Sequence, residues 1–529
     1  MHYRAISRGK LLTALCGFFA GGALLWQISR LIGEGEIRPI LLVGIAGIAL
    51  LIAGQILNDW RRGIYLFITW LLFEDLLRKY MGNNMAIYFG KDILIAITYV
   101  SLLKAPRVAN DGPFRPPFRH ALSLFMLLGI AQVLNPNSPS IFYGLLGLKL
   151  YFYYVPLMFV GYKLIVTEAD LHKFLVFNTG LAGLIALVGI IQTIVGLDFL
   201  NPRSGEDLDP LGHLTRYTPS GVAVTRPPSI FVSDGRFGSY LLLAFIVGMG
   251  SVAYLLLRGK HGSKIVFPAV ALVTVAAVMT GSRGAFSCVT GSLVLLCAGF
   301  LWGAPPGKLG RTRLLKAIRH SLVVIILAGG IMIAIFPKQI GARWTFYRET
   351  VLPDSPDSEL FFRAWTYPIA NFLGAWTDRD WALGRGIGTS CLGLQYVTRI
   401  LGVPAPRVGV ENGYGALILE FGILGLVLWI IWTLSLVIAA GRLVLKLKGT
   451  WAFPVGLSIA WFACFLLFPC TWGSLVLYQN FILNAYLWLL VGVLFRLPTL
   501  SLEQMQSEGA KFVPVISRTA PYRSRLTVS

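Results

Sequence analysis

Apolar runs of about 20 residues, the length that carries a helix across a bilayer, recur along almost the whole chain, and short basic segments separate them. Spans are expected at 11–29, 39–57, 63–77, 86–103, 120–135, 142–165, 172–196, 237–257, 265–280, 284–302, 321–336, 413–441, 453–471 and 475–495. That is about fourteen by the length criterion, with 63–77, 120–135 and 265–280 the shortest. Only 13% of the 529 residues are charged and mean hydropathy is +0.70. A water-soluble chain carries roughly 25% charged residues, so most of this surface must meet lipid. The expected fold is all-α, a polytopic transmembrane helical bundle.

The net charge of +22 is a topology signal rather than a nucleic-acid footprint. Arg4, Arg8 and Lys10; Arg61 and Arg62; Lys104, Arg107, Arg115 and Arg119; Arg258, Lys260 and Lys264; Lys308 through Arg319; and Arg442, Lys446 and Lys448 fall in alternate, acid-poor loops. Those loops are expected inside, with both termini cytoplasmic (N-in/C-in), and no segment is polar enough to form a nucleic-acid-binding domain. The N-terminal apolar run is read as a retained first span, not a cleaved signal.

Two loops fall on the other, periplasmic side. Segment 197–236 sets Asp198, Glu206, Asp207, Asp209 and Asp234 against Arg203, Arg216, Arg226 and Arg236. Segment 337–412 mixes eight basic with seven acidic residues, precedes the last three spans, and is too long and aromatic for a passive connection. Within it, 359–381 resembles an interfacial amphipathic helix broken near Pro368. The organisation expected is a membrane region 1–264, a second membrane domain 265–496 and a cytoplasmic, loosely ordered tail 497–529. The six cysteines form no CxxC pair and the six histidines show no metal-ligand spacing, so neither metal nor cofactor is expected.

Several residues stand where chemistry is conceivable. In Thr280-Gly281-Ser282-Arg283-Gly284-Ala285 an arginine lies between two nearly contiguous spans on the periplasmic side. Its planar fork suits a phosphate; the plainer alternative is a snorkelling turn residue. Glu411 and Asn412 end the long loop where a span begins. They are either catalytic or a helix cap. Glu420, about two and a half turns deeper, is a functional candidate by its depth, or a partner for a basic residue locking two helices. Arg226, Arg236, Arg363 and Arg385 are candidate anion ligands or plain surface ion pairs. Structural pairing is expected for Glu74, Asp75, Lys91 and Asp92.

Two of these sites in their order and spacing resemble the O-antigen ligase and polymerase superfamily, the Wzy/WaaL-type membrane enzymes. TGSRGA opening a span is similar to the start of that family's domain. Asn412, nine residues, Gly422, two residues and Gly425 match the segment after its long periplasmic loop. The likeness covers roughly 265–440, with an echo in GLKLYFYYVPLMF at 147–159. Ligases carry histidine where this chain has Glu411, so the polymerase branch fits better than the ligase branch.

The resemblance implies a GT-C-like fold and an inverting, metal-independent glycosyltransferase in the bacterial inner membrane, its active site facing the periplasm. The donor would be an undecaprenyl-diphosphate-linked oligosaccharide, the acceptor a sugar hydroxyl, the product a cell-surface polysaccharide. A flippase and a chain-length regulator would be further partners. Arg283 and Arg363, then Arg226 or Arg236, would bind the diphosphate. Glu411 would serve as base, Asn412 would orient it or a sugar, and Trp365, Trp376 and Trp381 offer faces for sugars or lipid. The alternatives are an O-antigen ligase acting on lipid A-core, a transporter or flippase of anions or lipid-linked glycans, and a non-catalytic scaffold. No internal repeat or helix break of the transporter kind is evident in the sequence.

Overall fold

The computed structural model describes residues 37–81, 85–105, 114–202, 214–218, 220–259, 261–304, 336–351, 361–394, 397, 398, 402 and 410–511, with isolated positions between 312 and 334. The expected span 11–29, all but a few isolated positions of 321–336, and the tail beyond 511 lie outside the described residues. The described chain is overwhelmingly helical. Seven of its helices are long and apolar enough to cross a membrane.

Two compact units divide the chain: Met1–Leu71 with Tyr88–Val108, and Leu72–Ile87 with Ala109–Ser529. The first is built on α1 (Ile37–Asn58), the start of α2 (Trp60–Tyr80) and α3 (Met85–Lys104). Asp59 turns α1 into α2 by accepting from the Arg61 amide at 3.1 Å. Ser101 on α3 donates to the Ile56 carbonyl at 2.8 Å, holding α3 to α1. Lys91 lies 3.4 Å from the centre of the Tyr88 ring and donates to the Tyr88 carbonyl, a local pairing of the kind expected.

The second unit continues with α4 (Arg119–Gln132), α5 (Ile141–Phe152), α6 (Leu157–Leu164) and α7 (Glu168–Val195). A hairpin of β1 (Thr215–Tyr217) and β2 (Ala223–Thr225) follows, paired Thr215 to Thr225. Next come α8 (Asp234–Arg258), α9 (Ser263–Met279), α10 (Arg283–Trp302), α11 (Pro337–Val351) and α12 (Tyr367–Trp376). α13 (Gly413–Leu447), α14 (Phe453–Phe465) and α15 (Phe481–Lys511) complete it. Helices on both sides of residue 264 pack together in this one unit: α9 lies against α7 and α8. Thr167 and Asp170 form a reciprocal capping box at the start of α7. Glu168 in the same turn takes both Arg258 Nε and Nη2 at 3.0 Å, so the beginning of α7 is fixed to the end of α8. The core is aromatic. Trp429 and Trp432 on α13 are fully buried, within 4.8 Å of Tyr478 and 5.7 Å of Trp488 between ring centres.

Three expected spans are interrupted. The run 142–165 breaks at Tyr153–Pro156, where Pro156 has no amide to continue the ladder. The run 475–495 is a turn at Val476–Gln479 followed by α15, which continues past Pro498 to Lys511 where a loose tail was expected. The third break is within α13, at Gly422, whose φ of 73° and ψ of −175° leave the helix. Backbone groups freed inside an apolar layer must find partners. The glycine-rich segment 381–390 supplies them. Arg385 N donates to Leu419 O at 2.7 Å, and Ile423 N donates to Trp381 O at 3.1 Å. The approach is so close that a Cβ on Gly422 would run into the Ala382 carbonyl, and one on Gly388 into the Tyr143 carbonyl.

Glu420, two residues before this break, is fully buried and accepts from Gly388 N at 3.2 Å and Ser390 N at 2.9 Å. The expected alternative of a basic partner is corrected here: backbone amides take that place, because the inserted loop turns its N–H groups toward the carboxylate. Glu420→Gln places an amide NH2 against one of those N–H donors. It is expected to destabilise the purified protein by about 1–3 kcal/mol, read as a lower melting temperature in detergent. A wild-type melting temperature would remove Glu420 from the anchor.

Candidate functional site

The TGSRG segment reads as helix punctuation. Thr280 closes α9, Gly281 takes φ 62°, and Ser282 caps α10 by accepting from Ala285 N at 3.4 Å. Gly281 is constrained twice: a side chain there would be strained at that φ, and its Cβ would lie 2.7 Å from Val224 of the hairpin. Arg283 is therefore the first residue of α10, beside the positive end of the helix dipole.

Over this turn fold the hairpin and α11. Val224, Phe346 and Tyr347 form a small buried cluster with Phe286 of α10, whose ring stacks on Tyr347 at 4.5 Å. Arg343 rivets the assembly: its Nε donates to Met279 O at 2.8 Å and its Nη2 to Thr225 O at 3.1 Å. Burial lowers its pKa from the ordinary arginine value, and likewise pushes the Tyr347 phenol up to about 12. Arg343→Met removes both carbonyl contacts and is expected to loosen the hairpin. Protease cleavage within 214–225 should become faster while the melting of the helical bundle changes little, and equal cleavage rates in the two proteins would refute the rivet.

Beneath the hairpin lies a cavity of about 520 Å³ lined by Arg216, Arg226, Arg283 and Arg363, with Ser282 and Thr350 among its other walls. Four arginines border one space. Arg226 is ion-paired to Asp234 at 2.9 Å, yet its buried Nε has no hydrogen-bond partner among the described residues. Its pKa is lowered, mainly by burial; Asp234 opposes this, and the like charges of Arg216 and Arg283 add to it. Arg283 also lies over the Phe346 ring at 5.7 Å. Arg363, in the π-helical turn Phe362–Thr366 that leads into α12, reaches from the cavity to Glu411, Nη1 to Oε2 3.7 Å. Both side chains of that pair are more than half exposed, so the pair is weak and the carboxylate is accessible. Asn371 of α12 fixes the Glu411 backbone by accepting from its amide at 3.1 Å.

The sequence candidates thus separate. Arg283, Arg363 and Arg226 share the cavity, and Glu411 stands at its edge through Arg363. Arg236 does not join them: it is bonded to Asp75, lies 4.7 Å over the Phe481 ring, and lines a neighbouring cavity. Arg385 is held by Asp378 and Asp380. Asn412 is fully buried and is the cap of α13, its Oδ1 accepting from Gly415 N and its Nδ2 donating to Trp472 O, both at 2.9 Å. Of the two readings of Asn412, the cap is the one these bonds describe. Asp75 pairs with Arg78 and Arg236, as its expected structural role requires. Trp376 and Trp381 stack on each other at 5.5 Å, and Trp365 meets Trp472 at 6.2 Å; none of the three tryptophans lines the cavity.

Arg216 and Arg343 were not singled out by sequence reasoning. For Arg216 a signal existed: TRY and AVT flank a Thr-Pro-Ser-Gly turn, a hairpin pattern that brings it beside Arg226. Arg343 left none, since the partners that tie it to other elements, Met279 O and Thr225 O, are backbone carbonyls distant in sequence. Among the described residues no group of three or more His, Cys, Asp or Glu could hold a metal ion.

Fold and site together define a helical protein with helices of membrane-spanning length and a cavity lined by four arginines beneath a small hairpin. Comparison with known protein families and with curated proteins finds no match.

Proposed function

We propose that the chain is a glycosyltransferase of the O-antigen ligase and polymerase type, building a cell-surface polysaccharide at the periplasmic face of the bacterial inner membrane. The observation that carries this reading is the convergence of Arg216, Arg226, Arg283 and Arg363 on one cavity, with Glu411 paired to Arg363 at its edge. The fold in this reading is GT-C-like, with about fourteen spans and both termini in the cytoplasm, and the arginine cavity lies on the periplasmic side.

In the reaction, the diphosphate of an undecaprenyl-diphosphate-linked oligosaccharide occupies the cavity. Planar guanidinium forks bind its oxygens in pairs and stabilise the negative charge that grows as the glycosidic C–O bond breaks. The acceptor hydroxyl attacks the anomeric carbon from the face opposite the diphosphate, which inverts configuration. Glu411 takes the hydroxyl proton, and undecaprenyl diphosphate leaves. The acidic residue at 411 favours polymerase over ligase.

A transporter of lipid-linked glycans is the second reading, and the helix break at Gly422 favours it. Segment 381–390 fills that break with hydrogen-bonded backbone, which describes a rigid plug better than a substrate path. Purified protein incubated with a lipid-diphosphate oligosaccharide is expected to yield longer glycans and free lipid diphosphate. Movement of the donor across vesicles without any lengthening would establish the transporter instead.

A further inference from the structure

Arg226 is fixed at two points that belong to different elements. Its backbone amide donates to Leu214 O at 2.8 Å, which ties it to the hairpin, and its Nη1 pairs at 2.9 Å with Oδ2 of Asp234, the first residue of α8. The side chain lines the arginine cavity, and its buried Nε has no hydrogen-bond partner among the described residues. A buried donor without an acceptor is costly, and an anion in the cavity supplies one. Where that N–H points depends on where Asp234 stands.

Asp234 is held from behind by a residue that contributes no wall to the cavity. Asp75 on α2 is buried, and its Oδ1 accepts from Arg78 Nη1 at 3.2 Å in the same helix. Its Oδ2 accepts from Val232 N at 3.3 Å and from Arg236 Nη1. Residues 232 and 236 bracket Asp234, two positions to either side. Between them Ser233 caps α8 by accepting from Arg236 N at 3.3 Å. Two guanidinium groups already neutralise the Asp75 carboxylate, so the Val232 amide adds position rather than charge. The same segment is held again at Ser229, whose carbonyl accepts from Lys79 Nζ of α2 at 2.8 Å.

We infer that Asp75 is a positioning residue for Arg226: by fixing the chain on both sides of Asp234, it aims the Arg226 guanidinium into the arginine cavity. The inference rests on the anion-binding reading of that cavity. It gives α2, which lines none of the cavity, a share in setting the affinity for the anion.

Calorimetry of the full chain in detergent with inorganic pyrophosphate tests the role through a double-mutant cycle. Asp75→Asn keeps the size of the side chain and removes its charge. It is expected to weaken pyrophosphate about tenfold, the scale of one misplaced charge-assisted hydrogen bond. In the Arg226→Gln background the same change should cost less than about twofold, because the group it positions is gone. In the Arg283→Ala background the full loss should remain, since Arg283 is presented by α10 and its own cap. Melting temperature should fall by the same amount in all three backgrounds, which separates lost stability from lost positioning. Asp75→Asn leaves Arg78 and Arg236 without their counter-charge. If that protein does not fold, Arg236→Gln takes its place in the cycle, since it breaks the same bracket and leaves Asp75 paired with Arg78. Equal losses in the wild-type and Arg226→Gln backgrounds, or no loss in the wild type, overturn the positioning role. If Arg226→Gln alone binds pyrophosphate as tightly as wild type, the anion reading of the cavity falls and the role of Asp75 with it. If Arg226→Gln weakens binding and the cycle is additive, only the role of Asp75 falls.

Discussion

Arg283→Ala is expected to lower glycan lengthening by about 10²- to 10³-fold, the usual loss when one fixed donor to a developing negative charge is removed. Arg283 begins α10, whose cap is the Ser282 side chain and whose preceding turn is held by Gly281, so the helix start survives the substitution. Arg216, Arg226 and Arg363 still line the cavity, so the loss is that of one donor among four. Arg283→Lys should recover only part of the loss, because an ammonium offers a point charge in place of a planar fork. The measurement is product length with a saturating lipid-diphosphate donor, beside melting temperature and membrane level. Near-normal lengthening by a folded Arg283→Ala protein would remove the arginine cavity from the chemistry.

Glu411→Gln is expected to reduce the same rate by about 10²- to 10⁴-fold, the range that general-base catalysis contributes. Glutamine preserves size and the backbone contact with Asn371 but cannot take a proton. Because Glu411 is exposed and its pair with Arg363 is long, stability should change by less than about 1 kcal/mol. Glu411→His restores a base at the position and should retain more activity than glutamine. A purely structural ion pair would behave the other way: Arg363→Ala and Glu411→Gln would cause equal small losses, and histidine would give no recovery. Donor binding separates the two roles further, since removing the base should leave pyrophosphate affinity intact while removing Arg283 should weaken it.

The membrane class was legible because apolar length and charge spacing are local properties of the chain. The helices 168–195, 234–258, 283–302 and 413–447 fall close to the runs that hydropathy marks. The breaks were not legible. Gly422 resembles many glycines in apolar helices, and nothing near it announces that segment 381–390, some 30 residues upstream, supplies the missing hydrogen bonds. The same limit governs Glu420: its depth was readable, its partners were not, because backbone amides of a folded loop carry no sequence label.

At the site, residue type predicted that arginines would matter, and TGSRG marked the turn that presents one of them. Which arginines share a space was decided by packing. Arg226 and Arg236 are ten residues apart in one loop with similar surroundings in sequence, yet Asp75 of α2 holds the second in a different cavity. Asn412 suited a cap or a catalyst by sequence, and the Gly415 amide and the Trp472 carbonyl occupy its side chain as a cap.

By itself, then, the sequence determined that this chain forms apolar helices, and where the charged segments between them lie, since lipid demands both from the chain one segment at a time. The tertiary structure alone decided which side chains share the arginine cavity, where α13 breaks and what fills the break. Those outcomes depend on contacts between residues far apart in the chain, whose geometry exists only once the helices have packed.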